Sequence, residues 1–83
     1  MPRILYEKGY KFYIYLNESP FEPAHVHVLT TDMSGEMKVW LNNLDIAECY
    51  DIPTHEWSKI LKIIKQQKEF FIKRYYELNK QNH

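Results

Sequence analysis

Cysteine is almost missing from this chain. Cys49 stands alone, so one chain can form neither an internal disulfide nor a cysteine-based zinc site. Long apolar runs are also missing: no stretch approaches the length that spans a bilayer, and no membrane association is expected. The first residues lack a basic segment followed by an apolar run, so no secretory leader is expected and a cytoplasmic location is the default. There is no Gly-rich phosphate loop and no Ser-His-Asp order, which removes two common routes to phosphate binding and nucleophilic catalysis. Net formal charge is zero. That argues against tight binding to nucleic acid through bulk electrostatics.

Aromatic residues are abundant instead. They make up 16% of the 83 residues, with seven tyrosines, and tyrosine suits half-buried sheet faces and contact surfaces. The charge is also unevenly placed. Residues 1–53 carry four bases and eight acids, net −4, whereas residues 54–83 carry seven bases and three acids, net +4. Such a division lets the two halves attract each other within the fold or between protomers, and it gives the tail a basic surface.

Punctuation in the sequence points to one domain, residues 1–83, with a β-meander over 1–53 and a helical region over 54–80. The segment Asn17-Glu18-Ser19-Pro20-Phe21-Glu22-Pro23 is a loop, and Asp32-Met33-Ser34-Gly35 is a hairpin turn. Between and around them lie strand signals: Ile4–Tyr6, Tyr10–Leu16, His25–Thr30, Glu36–Leu41 and, more weakly, Leu44–Tyr50. From Thr54 the period changes. Trp57, Ile60, Leu61, Ile64, Phe71, Tyr75 and Leu78 recur at helical spacing, with Thr54 placed to cap and Glu56 in the first turn. The expected fold is α+β, an antiparallel sheet of four to five strands packed on one long C-terminal helix, whose far end would overhang toward another subunit. A break near Gln66 into two helices is the alternative.

Alternation along the strands sorts the side chains. Phe12, Ile14, Leu16, Val26, Val28, Met37, Val39, Leu41, Leu44 and Ile46 should face the helix. Lys11, Tyr13, Tyr15, His25, His27, Glu36, Lys38, Trp40, Asp45, Ala47 and Cys49 should face away. A single helix covers one face, so the second face should be open and rich in aromatic and ionisable groups.

The motif on that face is His25-Val26-His27. Two histidines at i and i+2 on a strand point the same way. They can act as base and acid around a phosphodiester, with Lys38 stabilising developing negative charge. With Glu18, Glu22, Glu36 or Asp45 they can also chelate a divalent metal. The plain alternative is a pair of half-exposed strand histidines packed on Tyr13, Tyr15 or Trp40. His25, His27 and Lys38 are thus the candidate catalytic residues, and Tyr13, Tyr15, Asn17, Glu18 and Trp40 the candidate binding residues. No resident metal or other cofactor is expected. Expected partners are another copy of the chain or a cognate small protein, with nucleic acid as the second candidate.

Four blocks carry a resemblance: Met1-Pro2-Arg3-Ile4; Gly9 to Tyr15 with Asn17-Glu18; Glu22-Pro23-Ala24-His25-Val26-His27-Val28; and Glu36 to Leu41. In this order and spacing the chain resembles the bacterial domain-of-unknown-function family 4160, over nearly its whole length. Ile52-Pro53-Thr54-His55-Glu56 is similar to that family's helix-start block, and Ala24 replaces its usual second proline. The resemblance implies a small cytoplasmic prokaryotic protein, often encoded beside another small protein in toxin–antitoxin-like pairs. It brings no assigned chemistry. The matching polar positions are Asn17, Glu18, His25, His27 and Lys38.

Overall fold

A computed structural model describes residues 3–15 and 22–79, with side chains from Leu5. Five strands follow one another, β1 (Arg3–Glu7), β2 (Tyr10–Tyr13), β3 (His25–Thr30), β4 (Glu36–Trp40) and β5 (Ile46–Tyr50). They form one antiparallel sheet in sequence order. A single 3₁₀ turn at Thr54–Glu56 leads into α1 (Trp57–Gln66), and α2 (Lys68–Asn79) follows after Gln67.

Local chemistry sets the meander. Lys8 and Gly9 both have positive φ, 53° and 86°, which gives a two-residue loop the twist that antiparallel strands favour. In the next hairpin Asp32 accepts hydrogen bonds from the Ser34 N–H and the Ser34 and Thr30 hydroxyls. This local cage lets Met33 take a left-handed conformation, φ 62°. Gly35 is needed there for space. A Cβ would lie 2.6 Å from the Asp51 carbonyl oxygen and 2.7 Å from Ile52 Cγ1. In the third hairpin Leu44 is left-handed, φ 62°, and its N–H donates to the Trp40 carbonyl, so the last strand starts at Ile46 rather than at Leu44.

Of the two helix readings the broken one holds: the N–H of Gln67 is shared between the carbonyls of Ile63 and Ile64, and Gln67 leaves helical geometry at φ −108°, ψ 18°. Two sequence expectations are corrected. Thr54 makes no capping bond. Strict alternation also fails in β5. Met37 pairs with Cys49 and Lys38 with Glu48, but Val39 pairs with Ile46, so Ala47 is an extra residue in a bulge. The bulge brings Cys49 and Ile46 to the same side, where both pack at the margin of the core.

That core holds Phe12, Ile14, Val26, Val28, Met37, Val39 and Leu41 from the sheet with Ile60, Ile63, Ile64, Phe71 and Tyr75 from the helices. Phe12 and Phe71 stack with ring centroids 5.6 Å apart. The helix break allows this closure. The Tyr10 hydroxyl donates to Glu56 at one end of the sheet. At the other end Lys68 reaches the Asn42 carbonyl, and the Asn79 amide donates to the Tyr15 carbonyl. α2 therefore turns along the end of the sheet and buries Phe71 and Tyr75 within the chain, where a continuous helix would have carried them past it. Phe70 and Tyr76 stay exposed.

Candidate functional site

Cross-strand register places the second sheet face row by row. Tyr6, Lys11, Leu29, Glu36 and Tyr50 are directly paired neighbours across all five strands. Tyr13, His27, Lys38 and Glu48 form the next row. His25 pairs with Trp40 in the third. The sequence-derived face is therefore assembled: Tyr13, Tyr15, His25, His27, Lys38 and Trp40 come together. Asn17 and Glu18 lie outside the described residues.

The face is less open than alternation implies. His25 is only 1% exposed and His27 8%. Three contacts enclose His25: its ring meets Trp40 edge-on at 5.5 Å, His27 edge-on at 5.1 Å, and Tyr75 of α2 at 5.7 Å. His25 Nδ1–H donates to the Pro23 carbonyl, 2.8 Å away. A carbonyl only accepts, so this bond fixes the proton on Nδ1 and orients the ring. His27 lies flat on Tyr15, with centroids 3.9 Å apart and planes 9° apart, and its Nδ1 is 3.7 Å from the Glu36 carboxylate. Both histidines are thus members of an aromatic stack anchored at the sheet end by α2.

Lys38 is similarly committed. Its ammonium pairs with Glu22 and lies 4.9 Å from the centre of the Trp40 ring. The Lys38 hydrogen bond is the chief reason the Glu22 carboxyl is held below its ordinary value, with nearby positive charge adding to it. An ammonium shared between a carboxylate and an indole face is a positioned cation, well suited to shaping a surface. Glu36 and Glu48 add negative charge beside it.

Sequence reasoning missed several members. Leu29 shares the parity of His25 and His27, so alternation alone could have placed it on this face. It is 7% exposed and is not part of the main core cluster. Tyr6 and Tyr50 frame the first row at 51% and 58% exposure. Glu22 is legible in the sequence only as a candidate metal-ligating carboxylate and Tyr75 only as part of the helical stripe, because their contacts with Lys38 and His25 depend on a loop path and on the helix break. Among the described residues no group of three His, Cys, Asp or Glu could hold a metal ion. A separate depression of about 420 Å³ near Tyr10, Thr30, Asp32 and Glu56 involves none of the sequence-derived site residues. No helix of the described residues is long and apolar enough to cross a membrane.

The model of the family described as "Domain of unknown function (DUF4160)" matches residues 9–76. The chain belongs to this family. The match runs from just before β2 into α2, so the helix break, both histidines and the part of the aromatic face on β2 to β5 lie within the DUF4160 region, whereas Tyr6 on β1 precedes it. No curated protein and no solved structure matches the chain.

Proposed function

We propose that this DUF4160 protein acts by protein–protein contact, as one component of a toxin–antitoxin-type pair, and that the aromatic and charged sheet face is its binding surface. The observation that carries this reading is the contrast between buried histidines and exposed tyrosines on one face. His25 and His27 support the surface from within, whereas Tyr6 and Tyr50 frame it and Tyr13, Lys38 and Trp40 remain partly accessible. Aromatic rings held by stacking and by a paired cation are the kind of preorganised groups that dominate contact energy. The partner is a cognate small protein encoded nearby or another copy of the chain.

The geometry favours this over acid–base catalysis by His25, His27 and Lys38. A general base must reach the proton it removes. His25 is enclosed with Nδ1 committed to Pro23, and Lys38 is committed to Glu22. Metal binding through the two histidines has no described carboxylate completing a group of three.

The test is titration of the isotope-labelled chain with the product of the adjacent gene, read by amide NMR. Shifts should cluster on β2, β3 and β4, and Trp40→Ala should weaken binding roughly 10-fold or more. Shifts confined to the exposed side of α1 would count against the face. Loss of an RNA-cleaving activity in His27→Ala, with the fold intact, would instead support the catalytic reading.

A further inference from the structure

We infer that the first row of this face is built to meet a second copy of the same chain, related by a two-fold axis along β3. The inference rests on reading the face as a contact surface and names its occupant. Read across the strands, the row is Tyr6, Lys11, Leu29, Glu36, Tyr50. Leu29 is the centre, with opposite charges at equal steps on either side and tyrosines at both ends. The order is a palindrome in shape and an anti-palindrome in charge.

That pattern has a geometric consequence. Lay a second sheet face to face on the first, about 10 Å away, with the dyad parallel to β3 and passing over Leu29. The rotation exchanges the two sides of the row. Lys11 then faces Glu36 of the other copy, and Glu36 faces its Lys11. Leu29 meets Leu29, and each Tyr6 meets a Tyr50. An isologous interface requires this self-complementarity, in which residue i contacts j and j contacts i. A dyad along the row would instead set Lys11 on Lys11 and Glu36 on Glu36. Charge therefore selects one axis and rejects the other.

Leu29 is a hydrophobic residue of the sheet that the main core cluster does not include, and it lies between two charged neighbours. At 7% exposed it offers the dyad only a small apolar contact, so the charged pairs on either side carry the complementarity. Tyr6 and Tyr50 are the exposed aromatic ends of the same row. The row also lies four residues along each strand from the His25–Trp40 pair, away from the end that α2 occupies. The second row continues the logic, since the same rotation sets Lys38 opposite Tyr13, a cation against an aromatic face. Five strands about 4.8 Å apart make a row roughly 19 Å wide, so this is a small interface, and its association is to be sought at roughly 10–500 µM.

Sedimentation equilibrium of the full chain over that range should show a monomer–dimer equilibrium. Lys11→Glu alone, or Glu36→Lys alone, puts two like-charge pairs across the dyad and should raise the dissociation constant about 100-fold. An equimolar mixture of the two variants should dimerise again, because each Lys11→Glu copy meets two lysines on its Glu36→Lys partner. Circular dichroism establishes that both variants fold. Carbodiimide cross-linking of mixed light and heavy isotope-labelled copies should join Lys11 of one to Glu36 of the other.

A wild-type chain that stays monomeric up to about 500 µM overturns the second copy as occupant. The contact-surface reading is then judged separately, by titration with the adjacent gene product. A dimer that persists in both single variants, or a mixture of folded variants that stays monomeric, overturns this axis.

Discussion

The two faces of one five-stranded sheet are built from different residues to opposite ends, one mostly aliphatic and the other mostly aromatic and ionisable. On one face Phe12, Val26, Val28, Met37 and Val39 are fully buried and joined to helix residues in a single cluster. On the other, the same strands present Tyr13, His27, Lys38, Glu36 and Trp40, where burial comes from side chains stacking on one another and from the Glu22–Lys38 pair. The first face obtains its stability from removing apolar area from water. The second keeps its polar tips and charges available at the margin, at the expense of burying two histidines. A face arranged in this way removes less apolar area from water than the first.

The sharpest separation should come from neighbouring residues on one strand. Phe12→Ala removes a ring that is fully buried and stacked on Phe71. It should cost about 3–5 kcal/mol, as large-to-small changes in a closed core do. Tyr13→Ala, one residue on and half-buried, should cost about 1 kcal/mol. Urea denaturation of both variants measures the contrast. Comparable losses would mean that the second face is a second core.

His25 is the residue that blurs the division. It belongs to the contact face by register, yet it is enclosed by Trp40, His27 and Tyr75 and bonded to the Pro23 carbonyl. His25→Ala should therefore destabilise by about 2 kcal/mol, between the two extremes. It should also loosen the α2 end, seen as faster hydrogen exchange at amides near Tyr75. A cost below about 0.5 kcal/mol would return His25 to the surface and reopen its candidacy as a catalyst.

Much of this could be read from the sequence, and the failures share a cause. Period-two alternation depends on neighbours along one chain, so it placed His25–Thr30 and Glu36–Leu41, the latter one residue longer than β4, and it put His25, His27, Lys38 and Trp40 on one side. It failed where the period itself breaks. The bulge at Ala47 returns Cys49 to the core side, and left-handed Leu44 delays β5. Helical spacing found Ile60, Ile64, Phe71 and Tyr75, but it gave no account of how far α2 bends. That bend decides whether Tyr75 covers His25 or overhangs. The burial of the histidines was hidden for the same reason, since it arises from Tyr15, Trp40 and Tyr75 meeting in three dimensions. Asn17 and Glu18 lie outside the described residues.

The core face carries a polar fastening at Tyr10, and pH should expose it. Burial, strengthened by the Glu56 carboxylate that accepts its hydrogen bond, pushes the Tyr10 hydroxyl up to about 12 from 10.0. Its proton is thus held more tightly in the folded chain. The associated stability is complete below pH 10 and declines as pH rises from 10 toward about 12. Tyr10→Phe keeps the ring, should cost about 1 kcal/mol at neutral pH, and should flatten that alkaline decline. Asp32 supplies the opposite sign. The Ser34 N–H, chief among its hydrogen bonds, holds the carboxyl at about 2 against an ordinary 3.8. Its contribution is present above 3.8 and fades as pH falls toward about 2, so Asp32→Ala should flatten the acid limb. Thermal unfolding across the two pH ranges separates these effects from each other and from the histidines.

The smallest effect on folding should come from Tyr50, and for that reason it is the most informative about the second face. Among the described residues it is the most exposed large hydrophobic side chain, on an edge strand, at the end of the row that begins at Tyr6. Tyr50→Ser should change stability by no more than about 0.5 kcal/mol, because little burial is lost. If the face is for contact, the same substitution should weaken association several-fold, since a rigid aromatic at an interface contributes far more than it does in the free monomer. Stability and association would then separate completely at Tyr50, as they should coincide at Phe12. A Tyr50→Ser chain that loses neither would show that this edge of the sheet is solvated surface, and would confine the contact face to β2, β3 and β4.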